Sequence, residues 1–210
     1  MGKLLNQLRK HPVQIIVSDG LSTDDSVKQA VLAGAQIAIG HPGRGQQLRR
    51  AVSLATDSDW YLFIHADSEL PDNWYELVQH HIESFPSKAG FFNLKFASKK
   101  WAARWVELMV AWRCMKFPFG WALPYGDQGL LISRHLYDQT GGYPDWSIFE
   151  DVKLIEKIGG SRLRSLKAKI KTSAAKYERD GFLKRGWCNF SLLRRYKAGA
   201  KIEHLLDSYQ

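Results

Sequence analysis

Cysteine is nearly absent from this sequence. The two that occur, Cys114 and Cys188, lie far apart without metal-ligand spacing. That excludes a disulfide scaffold and a cysteine-held zinc site, and it fits a reducing compartment. Long apolar runs are missing too: none nears the roughly 20 residues a bilayer span requires. The first ten residues lack the apolar centre of a secretory signal. These absences lead us to expect a cytoplasmic protein that touches a membrane, if at all, peripherally from its inner face. With no internal repeat, low-complexity tract or Pro/Ser-rich linker, the 210 residues read as one domain, and 45% hydrophobic residues supply an ample core. Acid is in deficit, 21 Asp and Glu against 30 Lys and Arg, for a net charge of +9. Such a charge implies anionic partners, nucleotides or phospholipid headgroups among them. The excess crowds into 153–176 and 179–201 but builds no recognised reading element, which argues against nucleic acid.

What is present is alternation. Residues 13–18 (VQIIVS), 35–39 and 60–65 (WYLFIH) read as short buried strands. Helices are expected between them at 26–33, capped by Ser22 or Thr23 and ended by Gly34, and at 44–54. Another helix follows Pro71 over 74–85. This order predicts a three-layer α/β domain with a mostly parallel sheet. Further on, 90–96 and 130–133 read as strands, 150–158 as a helix, and 163–173 as a strand or hairpin. Residues 183–206 carry basic, amphipathic helical character. Trp101, Trp105, Leu108, Met109 and Trp112 recur at helical spacing and share one face. Such a stripe reads first as core; tryptophan's preference for membrane interfaces keeps a lipid or apolar acceptor open.

Several acids stand just beyond apolar runs, where a sheet or helix holds them at the rim of a cleft. Asp19 heads an Asp-Gly turn, suited either to a nucleobase or ribose or to its own turn backbone. His65 and Asp67 are two apart and leave on the same side if the strand stays extended. A lone carboxylate such as Asp67, with substrate phosphates, is how Mg²⁺ is commonly held; His65 reads as a ligand, a helper or a packed core histidine. Arg44, flanked by Gly43 and Gly45 and followed by Gln46-Gln47, opens a helix and suits a phosphate, or is an ordinary glycine loop. The polar loop 125–129 (YGDQG) lets backbone approach a ligand while Asp127 and Gln128 present polar groups. Glu150-Asp151 opens a helix, where acids are ordinary dipole partners. Alternatively Asp151 is a general base, with Glu150 alongside to raise its pKa.

The order DGLSTD (19–24), GRGQQ (43–47), HADSELP (65–71), YGDQG (125–129), GGYP (141–144) and Glu150-Asp151 resembles the inverting glycosyltransferases of family 2, with the GT-A fold. It looks closest to the small bacterial branch of selenodomain-associated transferases. The resemblance spans nearly the whole chain. It implies a nucleotide-binding half over 1–89, an acceptor and catalytic half over 90–182, and basic C-terminal helices over 183–210. It implies that Asp19 contacts the base, that Arg44 and Gln47 contact the nucleotide with Asp127 and Gln128 nearby, and that Asp151 is the catalytic base beside Glu150. Asp67, with His65, would hold Mg²⁺ or Mn²⁺. The donor would be a nucleotide-diphosphate sugar, and the acceptor, lipid-linked or otherwise, is unspecified. A non-catalytic GT-A-like remnant that binds a membrane or partner protein is the alternative.

Three departures from the family pattern matter. His65 replaces the first acid of the Asp-x-Asp motif. Leu21 and Arg49 replace the common Gly and Asn. Relatives also begin with an apolar strand ahead of the helix that opens this chain, so 13–18 is expected to lack a neighbour on one edge.

Overall fold

The computed structural model describes residues 1–115 and 122–206; the last four residues of the expected basic tail lie outside that range. In chain order it contains α1 (Gly2–Leu8), β1 (Ile16–Asp19), α2 (Ser26–Leu32), β2 (Gln36–Ile39), α3 (Arg44–Leu54), β3 (Trp60–Phe63), α4 (Trp74–Ser84) and β4 (Ala89–Phe96). There follow α5 (Trp101–Arg113), β5 (Leu130–Ser133), α6 (Arg134–Gln139), α7 (Glu150–Ile158), β6 (Leu163–Thr172), α8 (Ala175–Asp180), α9 (Phe182–Lys197) and α10 (Ile202–Leu206). Residues 163–172 form a single strand rather than a hairpin. The short helix α6 was not anticipated; Ser133 caps it by accepting the Leu136 N–H at 3.2 Å. The start of α2 also differs from expectation. Asp25 is the N-cap, and Asp24 Oδ1 takes the Ser26 N–H at 2.9 Å, because Ser22 is held back in the preceding turn.

Strand alternation sorts side chains onto two faces and so builds three layers. Tyr61, Phe91, Leu130 and Ile132 point to one side, where Leu136, Leu154, Ile155 and Ile158 of α6 and α7 cover them. Phe92 and Leu131 point to the other side, against Leu4 of α1 and Trp74 and Val78 of α4. In the four-stranded sheet, ordered β3-β5-β4-β6, β4 and β6 pair in parallel while β5 pairs antiparallel with both β3 and β4. Three of these strands therefore run one way and β5 alone runs against them. The α/β class and its prevailing strand direction are as the sequence predicts.

The sheet is divided. β1 pairs in parallel with β2 as a separate two-stranded sheet, and among the described residues no pairing joins β1 to β3. A cleft of about 1270 Å³ runs between them, walled by Ile16 and Val17 on one side and Trp60 and Leu62 on the other. Helix α1 lies at its edge. Gln7 anchors that helix by donating to the Leu70 carbonyl at 2.8 Å and accepting the Leu70 N–H at 3.0 Å. The expected unpaired edge is thus real: β1 shows strand polar groups and apolar side chains to a cleft rather than to a neighbouring strand.

One expectation is reversed. The aromatic stripe of α5 faces away from the core, with Trp101 72% exposed and Leu108 69% exposed. The inward side consists of Ala103, Val106 and Val110, packed with Phe96 and Phe182. Both sides of this helix are apolar, so periodicity alone could not say which one faces in.

Candidate active site

Charged side chains line the cleft, Arg44, Asp67, Asp127, Glu150, Asp151 and Lys176 among them. Their positions follow from local backbone chemistry. Gly45 meets the 144–146 segment so closely that a Cβ there would overlap the Pro144 carbonyl, and its N–H donates to the Trp146 carbonyl at 2.9 Å. This approach seats the first turn of α3 against the start of α7. Arg44 Nε stands 2.8 Å from Glu150 Oε1, a charge contact without an aligned N–H···O hydrogen bond. Phe149, just ahead of the two acids, adopts φ 60°, a left-handed conformation uncommon for a bulky residue. Stacking on Tyr196 at 4.9 Å holds it there. Strained backbone of this kind concentrates at functional sites, and here it aims Glu150 and Asp151.

Glu150 is buried, at 1% exposure, and its carboxyl is pushed up to about 7, first by burial and then by Asp151, against the pull of Arg44. Glu150 was expected to raise its neighbour, yet the buried member of the pair is Glu150 itself. Asp151 Oδ2 accepts the Gly126 N–H at 2.7 Å and Oδ1 the Val152 N–H at 2.7 Å. Gly126 reaches it from a left-handed φ of 76°, which explains a glycine at that point in the loop.

His65 and Asp67 do not share a strand face. β3 stops at Phe63 opposite Leu130, because Gly129, at φ 65°, turns the partner strand away. The chain then makes a turn closed by the Ser68 N–H on the His65 carbonyl at 3.1 Å. His65 Nδ1 lies 2.6 Å from Asp127 Oδ1, and Nε2 lies 2.6 Å from an Arg44 guanidinium nitrogen. These contacts require the tautomer in which Nδ1–H donates and Nε2 accepts. Both ring nitrogens are therefore engaged, so His65 does not fit the expected role of metal ligand. Asp67 is exposed at the cleft and does fit: a single carboxylate beside substrate oxygens suits a hard divalent cation. Among the described residues no group of three His, Cys, Asp or Glu side chains could hold a metal by itself.

Burial works against the Asp127 carboxylate, but the His65 hydrogen bond and the charges of Arg44 and Lys176 outweigh it and hold its pKa below the ordinary value. Asp19 is buried at the end of β1, and its Oδ2 takes the Ser22 N–H at 2.9 Å. That bonding lowers its pKa and marks the self-bonded turn that the sequence left open. Gln47 donates to the Ser18 carbonyl at 3.3 Å, tying α3 to β1 at the rim of the cleft. Gln128 is placed otherwise than expected. It is 2% exposed, donates to the Phe92 carbonyl at 3.0 Å and accepts from Arg113 at 3.2 Å. Its amide braces the interior rather than facing a ligand.

Two residues of the site were not picked out from sequence. Lys176 sits in a basic stretch where nothing distinguishes one lysine from another. Arg113 carries only a helix-end position, yet it covers the Tyr125 ring at 3.7 Å and donates to the carbonyls of Leu123 and Tyr125 at 2.9 and 3.3 Å.

No protein-family model and no curated protein sequence matches the chain. Solved structures do. The chain is similar to S. aureus TarS 1–349 in complex with UDP, with TM-score 0.61 and 12% identity over 99% of this chain and 64% of that one. It is also similar to mannosyl-3-phosphoglycerate synthase from Rubrobacter xylanophilus, with TM-score 0.57 and 16% identity over 94% and 70% of the two chains. A third is glucosyl-3-phosphoglycerate synthase from Mycobacterium tuberculosis in complex with Mn²⁺, UDP and glucosyl-3-phosphoglycerate, with TM-score 0.50 and 18% identity over 76% and 59%. The fold is GT-A-like. The chain spans just under two thirds of the TarS fragment it matches.

Proposed function

We propose that this chain is an inverting glycosyltransferase that moves a sugar from a nucleoside-diphosphate donor to an acceptor hydroxyl, with Asp151 as general base. The observation that carries this reading is that Asp67, Asp127, Glu150, Asp151, Arg44 and Lys176 all line a single cleft in a GT-A-like fold. The acceptor oxygen forms its bond to the anomeric carbon as the bond to the diphosphate breaks, and its proton passes to Asp151. Gly126 and the start of α7 orient that carboxylate. Arg44 and Lys176 supply positive charge for the departing diphosphate, and the His65–Asp127 pair helps to fix the Arg44 guanidinium. A divalent cation, Mg²⁺ or Mn²⁺, held by Asp67 and diphosphate oxygens would add neutralising charge when bound.

Asp19 and Gln47, at the rim beside β1, belong on this reading to the nucleotide end. UDP and UDP-GlcNAc in the TarS structures, and UDP with Mn²⁺ in the mycobacterial synthase, make uridine donors the first to try. The acceptor is open, a lipid-linked one included. The test is a nucleotide-sugar panel scored by thermal shift with and without Mn²⁺, since a ligand that binds only the folded state raises its melting temperature. We expect a metal-dependent rise with at least one donor; no rise with any donor would overturn the reading. One observation favours the alternative of a non-catalytic GT-A-like binding module: the open seam between β1 and β3 adjoins the nucleotide end of the cleft.

A further inference from the structure

A helix that is apolar all round is ordinarily buried on every side, in a core or in a membrane. α5 is apolar on two sides, and among the described residues only the inner one is packed into a core. Its inner side, Ala103 and Val106, is buried against Phe96 and Phe182. On its outer side Trp101, Trp105, Leu108 and Trp112 fall within about 60° around the axis, at 100° per residue. All four are exposed, Trp105 by 51%. The neighbouring helix α9 enlarges the apolar surface. Its Gly186 sits against Val106, and Leu183 and Trp187 on either side of that contact are exposed, Trp187 by 72%.

The charges around this surface are mainly positive, with Glu178 the exposed acid nearby, accepting from Ser98 Oγ at 2.9 Å. Lys99, Lys100 and Lys184 are exposed beside it. The one acid of α5, Glu107, is neutralised by Arg104 at 2.8 Å and turned inward to accept the Phe96 N–H at 2.8 Å. Tryptophan rings flanked by lysines match the boundary of an anionic bilayer, where rings settle at headgroup depth and lysines meet lipid phosphates. Among the described residues no helix is long and apolar enough to cross a membrane, so contact by α5 would be at the surface. The inner end of the same helix holds the site: Arg113 grips Tyr125 and Gln128 in the loop that carries Asp127.

We propose that the outer face of α5, Trp101, Trp105, Leu108 and Trp112 with Lys99 and Lys100 beside them, docks on the surface of an anionic lipid bilayer. Docking names the surface that would bring the proposed transferase to a membrane. It needs no donor, so its failure and that of the transferase reading are told apart. The experiment is co-sedimentation of the full chain with vesicles of phosphatidylcholine alone, or of equal parts phosphatidylcholine and phosphatidylglycerol, at low and high salt. We expect strong binding to the anionic vesicles, weakened by salt. A Trp101→Ser/Trp105→Ser/Leu108→Ser variant should lose binding by roughly tenfold or more with its circular dichroism unchanged. Lys99→Glu/Lys100→Glu, which leaves the apolar surface intact, should lose roughly as much on anionic vesicles only. No binding by the unmodified chain, or a variant of either kind that binds anionic vesicles as tightly as the unmodified chain, overturns the proposal. A dimer in solution that the triple variant dissolves, without vesicle binding, overturns it in favour of a second copy of the chain.

Discussion

Arg44 Nε stands 2.8 Å from a buried Glu150 carboxylate oxygen, and the pair joins the first turn of α3 to the first turn of α7. One consequence is a stability that depends on pH through Glu150. Its folded pKa of about 7 lies above its ordinary 4.5, so ionisation of this group opposes folding. The stabilising contribution of the protonated form is complete below about pH 4.5 and is lost as pH rises through 7. Glu150→Gln removes this dependence. Between pH 5 and 8 the variant should gain on the order of 2 kcal/mol relative to the parent. Urea midpoints across that range check it; parallel profiles for the two proteins would refute it.

Leu21 occupies φ 65° in the turn after β1, where a side chain is strained. It is 55% exposed, so its removal leaves no cavity. Leu21→Gly should relieve about 1–2 kcal/mol of left-handed strain and return part of that through the looser unfolded chain, for a net gain of about 0.5–1 kcal/mol. Denaturant unfolding measures it. A net loss would mean that the turn is not strained.

Gln128 separates support from ligand contact. Gln128→Ala leaves the Phe92 carbonyl without its side-chain donor and Arg113 without one acceptor, which should cost about 2–3 kcal/mol. Donor affinity, measured by titration below the variant's melting temperature, should change by less than about threefold, well under the 1.4 kcal/mol that a tenfold change represents. A large affinity loss with little change in stability would make Gln128 a ligand contact after all.

Much of the fold was legible because short β-branched runs and glycine-ended helices state their own periods; α3, β5 and α7 begin and end where the pattern says. What escaped was direction. The spacing of Trp101, Trp105, Leu108 and Trp112 places them on one face, but Ala103, Val106 and Val110 make the opposite face just as apolar. His65 and Asp67 share a side only if the strand stays extended, and WYLFIH continues past the last pairing; the strand's end is set by Gly129, far along the chain. Gln128 and Asp127 are adjacent in one polar loop, and only the partners Phe92 and Arg113 turn one inward while the other lines the cleft. The acids themselves stood out in sequence; Lys176, which helps hold Asp127 ionised, did not.

The most direct test is Asp151→Asn. The substitution keeps the side chain's size, so the Gly126 N–H retains an oxygen acceptor while the proton acceptor is lost. With a donor identified by thermal shift, turnover should fall by about 10²–10⁴ while donor affinity stays within about twofold. Turnover that survives the substitution would contradict Asp151 as the base. A parent protein that binds donor and never turns it over would place the chain with the non-catalytic binding modules.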